Sequence, residues 1–181
     1  MLYDTLLKRR SIRSFQNRRV EPEKIATLAK AALLSPSSRN IRPWAFVVVD
    51  DADKISRLAR AKPHGASFLE SAPLAIAVIA KTAESDVWVE DTAIASTILL
   101  LMADALGLGA CWCQIRRRPH TEAVSAESYV RDVLGIPETY AVASIVGIGY
   151  AASPLPAYDD TKLAFEKLFY NRFADPFEIK P

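Results

Sequence analysis

The sequence predicts an α/β sandwich of the α+β class, in which helices flank a central sheet. Three observations predict this fold class. Apolar runs of strand length alternate with segments of helical spacing, the chain opens on a helical segment, and one long stretch lacks charge. The length of 181 residues suits a single domain, residues 1–181, because a chain of this size buries roughly 70% of its unfolded surface in one core.

Apolar residues at helical spacing predict the first two helices. The pattern begins at Leu2 and predicts a short amphipathic helix that ends near Arg9. Pro22 lies in the first turn of a second helix over residues 22–33. That helix ends before Pro36, because proline cannot continue it.

The longest apolar stretch predicts a central helix over residues 88–106. The segment carries no charge between Asp91 and Asp104, so the helix is expected to be apolar on all sides and buried. Gly107 and Gly109 end it. Two further helices are predicted, over residues 125–133 and 162–170.

Four nearly continuous apolar runs predict buried strands. The first run is bounded by Trp44 on one side and by Asp50 on the other, and Pro73 precedes the second. The predicted strands cover residues 45–49, 74–80, 110–115 and 141–147.

The composition argues against several classes of protein. The 23 basic and 21 acidic residues leave a net charge of +2, which gives no broad field that attracts nucleic acid or a membrane surface. The two cysteines, Cys111 and Cys113, occupy alternate positions of one predicted strand, where they do not easily form a disulfide. We therefore expect a reduced, cytoplasmic protein. Residues 1–7 lack the pattern of a signal peptide, and residues 93–103 are too few to span a bilayer.

A short basic segment, residues 9–15, follows the first predicted helix and reads RRSIRSF. Its three guanidinium groups and its hydroxyls suit a phosphate dianion, because arginine binds phosphate bidentately and stays charged at every biological pH. In an extended segment Ser11 and Arg13 lie on one side, and Ile12 turns toward the core. The alternative is a solvated basic turn.

A second polar segment, residues 35–44, reads SPSSRNIRPW and lies between a predicted helix and a predicted strand. Its hydroxyls, its amide and its tryptophan suit the binding of a flat heterocycle. Ordinary turn chemistry is the alternative, because turns also require serine, proline and asparagine. We interpret Trp44 as a core residue that anchors the loop to the first strand.

Together the two segments resemble the start of the nitroreductase family of FMN-dependent oxidoreductases, whose pattern is RRSxRxF followed by PSSxNxQPW. The chain departs from this pattern at Arg42, where the family has glutamine or glutamate. Further matches are GLGACW at residues 107–112, IVGIGY at residues 145–150 and YNRF at residues 170–173. Five matches in order cover nearly the whole chain and are specific for the family, though not for a substrate.

The resemblance implies a nitroreductase-like fold with a mostly antiparallel central sheet, in a homodimer whose flavin sites lie at the subunit interface. It implies FMN as the cofactor, with Arg9, Ser11 and Arg13 on the phosphate and Arg10 along the flavin ring or the ribityl chain. An arginine near the N1 and O2 edge of the ring would stabilise the negative charge that develops there on reduction. The C-terminal tail, about residues 170–181, either covers the partner subunit or packs as a helix on its own core.

The second segment supplies further contacts by the same resemblance. Pro36, Ser37 and Ser38 match the loop that closes on the flavin, usually from the partner subunit. Asn40 matches the residue that hydrogen-bonds the ring near N3 or N5. These four residues are expected to complete the site that the basic segment of the other chain begins.

A strand segment adds Trp112, Cys113 and Gln114 to the predicted cofactor contacts. By resemblance it passes the ring on the side that faces away from substrate, where backbone N–H groups reach flavin atoms. A redox or metal site at the two cysteines is the weaker alternative. A metal site needs further ligands, and His64 is isolated in sequence. Gly149 either permits close approach of the backbone to the cofactor or simply ends a strand before a turn.

The implied activity is ping-pong hydride transfer from NAD(P)H through the flavin N5 to a nitroaromatic, a quinone or a similar acceptor. No catalytic side chain is named. Other uses of the same flavin stay open, namely dehalogenation, ene reduction, flavin cleavage or binding without turnover.

The basic run at residues 116–118 offers nucleic-acid binding as a further alternative, but it lacks the interleaved aromatic residues that such binding uses. Lys162 is a poor match for a C-terminal residue that some relatives place on the phosphate.

Arg39 and Arg42 lie beside the expected pocket, and their charge suits the 2′-phosphate of NADPH. We expect Arg42→Gln to weaken NADPH more than NADH, as measured by steady-state kinetics with each nucleotide in turn as the varied substrate. Equal effects on the two nucleotides would remove this role of Arg42.

Overall fold

The computed structural model describes residues 2–177. The α-helices in this range are α1 (Leu2–Lys8), α2 (Pro22–Leu33), α3 (Ala52–Leu58), α4 (Trp88–Ala105) and α5 (Ala126–Leu134). The strands are β1 (Trp44–Val49), β2 (Leu74–Lys81), β3 (Gly109–Gln114) and β4 (Tyr140–Gly149). Short 3-10 helices cover Ser38–Asn40, Ser67–Ser71, Asp160–Lys162 and Phe165–Lys167. None of the helices within residues 2–177 is long and apolar enough to cross a membrane.

The four strands form one sheet in the order β1-β2-β4-β3, and each neighbouring pair is antiparallel. The central strands β2 and β4 are buried along almost their whole length, which explains why their sequences are nearly continuous apolar runs. A register shift between Val78 and Ile79 marks a bulge in β2. The predicted α+β fold with an antiparallel central sheet is confirmed, and β3 is an edge strand.

Helices cover both faces of the sheet. On one face, α2 and α4 contribute Leu28 and Leu99 to a buried apolar cluster. On the other face, α3, α5 and the Ser67–Ser71 segment contribute to a second cluster that includes Leu58 and Val130. Since Leu99 is fully buried, truncating it to alanine would cost about 2–5 kcal/mol of stability.

The central helix α4 differs from its prediction in one respect. Leu99 and Ala103 are fully buried, as expected, but Ile94 is 40% exposed, and Ala93 and Thr97 are also exposed in the single chain. The expectation of burial on all sides is therefore wrong for one chain. One face of the helix lies against the sheet, whereas the face that carries Ala93, Ile94 and Thr97 is exposed within residues 2–177.

Helix α3 has no counterpart among the predicted helices. Its N-cap residue Asp51 accepts a hydrogen bond from the Lys54 N–H at 3.0 Å. Only Ile55 and Leu58 of the helix are buried, so a helix of seven residues shows too few apolar positions for a clear period. The aspartate N-cap is the signal that identifies such a helix.

The predicted last helix, residues 162–170, is wrong. The structure has two single-turn 3-10 helices in this region, Asp160–Lys162 and Phe165–Lys167. Helices in proteins draw most of their stability from packing an apolar face, and every residue from 152 to 177 is exposed in the single chain. The tail therefore does not pack as a helix on its own core. The rest of the predicted covering tail, residues 178–181, lies outside the described residues.

The segment that follows α1 joins the sheet at two points. The Ile12 N–H donates to the Ala110 carbonyl oxygen at 3.0 Å, and the Gln16 N–H donates to the Tyr150 carbonyl oxygen at 2.8 Å. Gly109 makes room for this pairing, because a Cβ at residue 109 would lie 2.7 Å from an Ile12 side-chain carbon. Ile12 is buried, as predicted, so the segment is fixed beside the start of β3.

A polar cluster fixes the end of the same segment to β4. The Tyr150 hydroxyl donates to the Glu21 carboxylate at 2.7 Å, and the Arg18 guanidinium donates to the same carboxylate at 2.7 Å while stacking 3.8 Å above the Tyr150 ring. The Lys24 ammonium donates to the Tyr150 hydroxyl at 2.9 Å. These contacts lower the pKa of Glu21 to about 2, chiefly through the hydrogen bond from Tyr150.

This lowered pKa makes stability depend on pH. A carboxyl whose pKa is lower in the folded chain adds stability above its ordinary pKa, and the contribution is lost as pH falls toward the folded value. We expect Glu21→Gln to be less stable than the unsubstituted protein at pH 7, and the difference to shrink between pH 4.5 and about pH 2.

Urea unfolding at stepped pH measures this difference. Tyr150→Phe removes the main donor to Glu21 and should show the same reduced dependence on pH. A difference that stays constant from neutral pH down to about pH 2 would contradict the assignment.

Candidate functional site

Three cations surround the first half of β3. The positive charges of Arg13, Arg9 and Lys62 all act on the Cys111 thiol and lower its pKa, although the larger effect of burial raises it above the ordinary value. The Arg13 guanidinium is exposed and makes a long contact with the Ser11 carbonyl oxygen, at 3.4 Å. The structure therefore brings the predicted phosphate donors together at this strand, with Lys62 beside them.

Arg10 lines a cavity at the start of β3 together with Arg9. Its guanidinium donates to the Pro156 carbonyl oxygen and lies 4.5 Å from the centre of the Tyr158 ring. These contacts hold it against the segment that follows β4. Its contact with a flavin ring or ribityl chain stays a prediction.

The free edge of β3 is open beyond its first residues. β4 pairs with one side of β3, and on the other side the described chain forms a single bridge, between Ser11 and Ala110. Trp112 projects from this strand and is 44% exposed, and Gln114 is half-buried. The backbone N–H and carbonyl groups along this edge are available to a ligand.

A cavity of about 390 Å³ adjoins this open edge. Its polar and aromatic lining consists of Lys62, His64, Trp112, Gln114 and Arg118, and two prolines complete it. None of the residues within 2–177 that line the cavity is acidic, so its chemistry favours a ligand that carries negative charge and a flat ring.

Hydrogen bonds order the basic run that borders this cavity. The Arg118 guanidinium donates to the Gln114 side-chain oxygen at 3.0 Å, and the Gln114 side-chain nitrogen donates to the Arg116 carbonyl oxygen at 3.0 Å. The Arg116 guanidinium lies 5.4 Å from the Trp88 ring centre. Two of the three arginines therefore have fixed partners rather than forming a plain solvated turn.

The two cysteines point into the protein. Cys111 and Cys113 are 2% and 1% exposed, and both are free thiols. The Cys113 thiol donates to the Gly65 carbonyl oxygen at 3.4 Å, and burial raises its pKa. The backbone groups of Cys113 face β4, because the Ala110 carbonyl oxygen accepts on the open side and the Ile115 N–H donates to Ala143 of β4, so alternate residues face opposite edges. Its contact with a cofactor stays a prediction. Among residues 2–177, no group of three or more His, Cys, Asp or Glu side chains is placed to hold a metal ion.

Gly149 is explained by packing. A Cβ at this position would lie 2.5 Å from the Pro73 ring and 3.1 Å from the Phe15 ring. The close approach that the glycine permits is therefore that of Pro73 and Phe15. Its contact with a cofactor stays a prediction.

The loop of the second polar segment rests on the first turn of α4. The Ser38 N–H donates to the Asp91 carboxylate at 2.8 Å, and the Ser37 hydroxyl accepts from the Arg42 N–H at 2.8 Å. The Arg42 side-chain Nε donates to the Asn40 side-chain oxygen at 2.8 Å. Pro36 and Asn40 are exposed, and Trp44 is 8% exposed in the core, as predicted.

The backbone of this loop is strained. Arg39, Asn40 and Arg42 have φ angles of 53°, 56° and 56°, in the left-handed region that residues other than glycine rarely adopt. Each such residue costs on the order of 1–3 kcal/mol and persists only where surrounding contacts enforce it. Strain of this kind is typical of functional loops.

The structure does not bring the two predicted halves of the site together in one chain. Within residues 2–177, no hydrogen bond or ion pair joins the Ser38–Asn40 loop to β3 or to the segment around Arg9. The loop instead contacts α4 and the turn before it, where Arg39 pairs with Asp86.

Lys62 is a site residue that the sequence analysis missed. It follows α3, the helix that the apolar pattern does not reveal, and it acts on both cysteine thiols from beyond the edge of β3. No local motif marks it. Only the tertiary position of the chain after α3 brings Lys62 to the cavity that Trp112 and Gln114 line.

Known proteins share this fold and these motifs. The sequence profile of the nitroreductase family matches residues 6–64 and 60–150. The chain belongs to the nitroreductase family. The resemblance seen in the motifs is thereby confirmed, and so is the nitroreductase-like fold.

Individual relatives agree with this assignment. A protein of Archaeoglobus fulgidus provisionally named NADH dehydrogenase/NAD(P)H nitroreductase is 37% identical over 155 residues, which cover 83% of this chain and 86% of the relative. The solved structure of an FMN-dependent nitroreductase from Clostridium difficile R20291 superposes with a TM-score of 0.92 at 44% identity, covering 93% of this chain and 98% of that chain. An iodotyrosine deiodinase of Thermotoga neapolitana is 24% identical over 201 residues, covering 96% of this chain and 99% of the relative.

Burial of the two thiols leads to a test of the cysteine pair. Because burial raises the pKa values of Cys111 and Cys113, little reactive thiolate forms at pH 7. We expect both thiols to react with an aromatic disulfide reagent at least about tenfold more slowly in the folded protein than in urea. Rapid reaction of either thiol in the folded protein would instead support a redox role for the pair.

Proposed function

We propose that the protein is a homodimeric FMN-dependent NAD(P)H oxidoreductase that reduces a nitroaromatic, a quinone or a similar acceptor by ping-pong hydride transfer. The observation that carries this proposal is that Arg9 lines one cavity with Gly109 and Ala110 and Lys62 lines another with Trp112, both along β3, whose far side is open. The named function of the Clostridium difficile relative, at 44% identity, supports the choice of FMN.

The residues present suit FMN by their donor chemistry. Arg9, Ser11 and Arg13 offer two guanidinium groups and a hydroxyl to the phosphate. From Ala110 to Gln114 the extended strand spans about 13 Å, which leaves room for an elongated ligand along the edge. Trp112 and Gln114 border the adjoining cavity of about 390 Å³, which suits the ring.

The role of the protein residues is to bind, orient and supply charge. FMN, when bound, provides the centre that accepts hydride from NAD(P)H and passes it to the acceptor. Arg13 and Lys62 place positive charge near the strand edge, where it favours negative charge on a bound ring. No side chain in the cavity is assigned as an acid or base, so rate acceleration rests on position and electrostatics.

The homodimer rests on two surfaces that the single chain leaves uncovered. The face of α4 that carries Ala93, Ile94 and Thr97, with Ile94 40% exposed, suits contact with a second copy. The aromatic tail adds Tyr170 and Phe173, which are 58% and 85% exposed. In such a dimer Pro36, Ser37, Ser38 and Asn40 of one chain complete the flavin site of the other, which accounts for the separation of the two halves.

Reductive dehalogenation is a second candidate activity, supported by the likeness of the whole chain to the iodotyrosine deiodinase of Thermotoga neapolitana. Turnover assays separate the candidates. Oxidation of NADPH or NADH that depends on a nitroaromatic or a quinone supports the reductase, and iodide release from iodotyrosine supports the dehalogenase. Bound flavin without turnover of either kind would indicate a flavin-binding protein.

The phosphate site is tested by Arg9→Ala/Arg13→Ala. We expect this double variant to lose the visible spectrum of bound flavin after reconstitution with FMN, because two charged hydrogen-bond donors to the phosphate are removed, each worth about 1.5–3 kcal/mol. Arg19→Ala/Arg57→Ala is the matched control, since it removes two exposed guanidinium groups away from β3.

The control should bind FMN as the unsubstituted protein does. Equal binding by all three proteins would contradict the phosphate site. A protein that takes up no flavin in any form would overturn the proposed function.

A further inference from the structure

Asp91 is a buried carboxylate in the first turn of α4. It is 1% exposed. One carboxylate oxygen accepts from the Ser38 N–H at 2.8 Å, and the other accepts from the Ser85 hydroxyl at 3.1 Å. No ion pair of Asp91 occurs among the described residues, so hydrogen bonds alone satisfy its charge.

These bonds join three separate parts of the chain. Asp91 belongs to the rigid central helix, Ser85 belongs to the turn before it, and Ser38 begins the strained loop. The Ser85 hydroxyl also accepts from the Val87 N–H at 3.3 Å, which ties the turn to the start of the helix. The loop is thus attached to α4 through Asp91, and the Arg39–Asp86 ion pair joins it to the turn before α4.

The strain of the loop makes this attachment necessary. Three residues with positive φ follow Ser38 within four positions. Left to local preference, arginine residues leave the left-handed region, so the loop needs outside contacts to hold its shape. The Ser37 hydroxyl and the Asn40 side chain bond only within the loop, through Arg42, whereas Asp91 anchors the loop to the body of the protein.

We propose that Asp91 is a positioning residue that holds the Ser37–Arg42 loop in the shape that meets the cofactor of the partner subunit. This inference rests on the proposed function for the part that concerns FMN. The loop geometry itself is independent of any ligand. A buried carboxylate is well suited to this task, because releasing the Ser38 N–H would leave a buried charge partly unsatisfied.

Asp91→Ala removes the acceptor. Asp91→Leu also removes it but fills the space, so it decides the question if the alanine variant does not fold. Asp91→Asn keeps an oxygen that can accept from the Ser38 N–H. Glu90→Ala is the matched control, because Glu90 is an exposed carboxylate in the same helical turn and contacts no part of the loop in the structure.

The first measurement is amide hydrogen exchange of the flavin-free proteins, followed by residue. We expect exchange at residues 38–42 to rise about tenfold or more in Asp91→Ala or Asp91→Leu. Exchange in β2 and β4 should stay unchanged in every variant. Asp91→Asn and Glu90→Ala should match the unsubstituted protein within about threefold.

The second measurement is the Kd for FMN, followed by the change in flavin fluorescence on binding. We expect it to rise about tenfold in the variants that lack the acceptor, and Asp91→Asn to restore most of the affinity. A general loss of stability would increase amide exchange in β2 and β4 as well. Unchanged exchange in these strands therefore distinguishes a positioning role from a general loss of stability.

Unchanged exchange at residues 38–42 in the acceptor-less variants would overturn the proposal. Increased exchange with an unchanged Kd for FMN would show that Asp91 holds the loop but that the loop does not meet the cofactor, which also overturns it. Absence of FMN binding by the unsubstituted protein would overturn the proposed function, and the exchange result would still decide whether Asp91 holds the loop.

Discussion

The pairing of residues 11–16 with the ends of β3 and β4 is the constraint on which the candidate site depends. The backbone bond from Ile12 to Ala110 fixes an otherwise irregular segment at the open edge of the sheet, and the burial of Ile12 makes the register unique. A shift of this pairing by one residue would turn the charged Arg13 side chain toward the core and expose the apolar Ile12 side chain. Both changes would cost free energy. The core and the anion site are thus specified by the same few contacts.

The sequence predicts the elements that pack on the sheet and fails for those that do not. All four strands and the helices α1, α2, α4 and α5 follow from apolar patterns, because burial against the sheet imposes those patterns. α3 is missed because it buries only two side chains, and the tail is wrongly predicted as a helix because its apolar residues have no partner within one chain. Apolar spacing indicates burial but does not say against which molecule.

The candidate site likewise contains residues that the sequence predicts and residues that it does not. Arg9, Ser11 and Arg13 are predictable, since they lie in one contiguous motif and the structure keeps them beside β3. Lys62 and Asp91 are not, because their roles arise from tertiary contacts with residues distant in sequence: Lys62 lies beside the cysteines of β3, and Asp91 lies beneath Ser38. Strand β3 and the loop carry matched motifs, yet only the fold shows that no hydrogen bond or ion pair joins them within residues 2–177.

A hybrid dimer tests most directly whether two chains form each site. Arg9→Ala/Arg13→Ala chains and Ser37→Ala/Asn40→Ala chains are coexpressed with different affinity tags, and the hybrid is isolated by both tags before FMN is titrated. If each site combines the basic segment of one chain with the loop of the other, the hybrid keeps one intact site and binds one flavin with unsubstituted affinity, whereas neither parent does. A hybrid that binds no better than its parents would contradict the shared site.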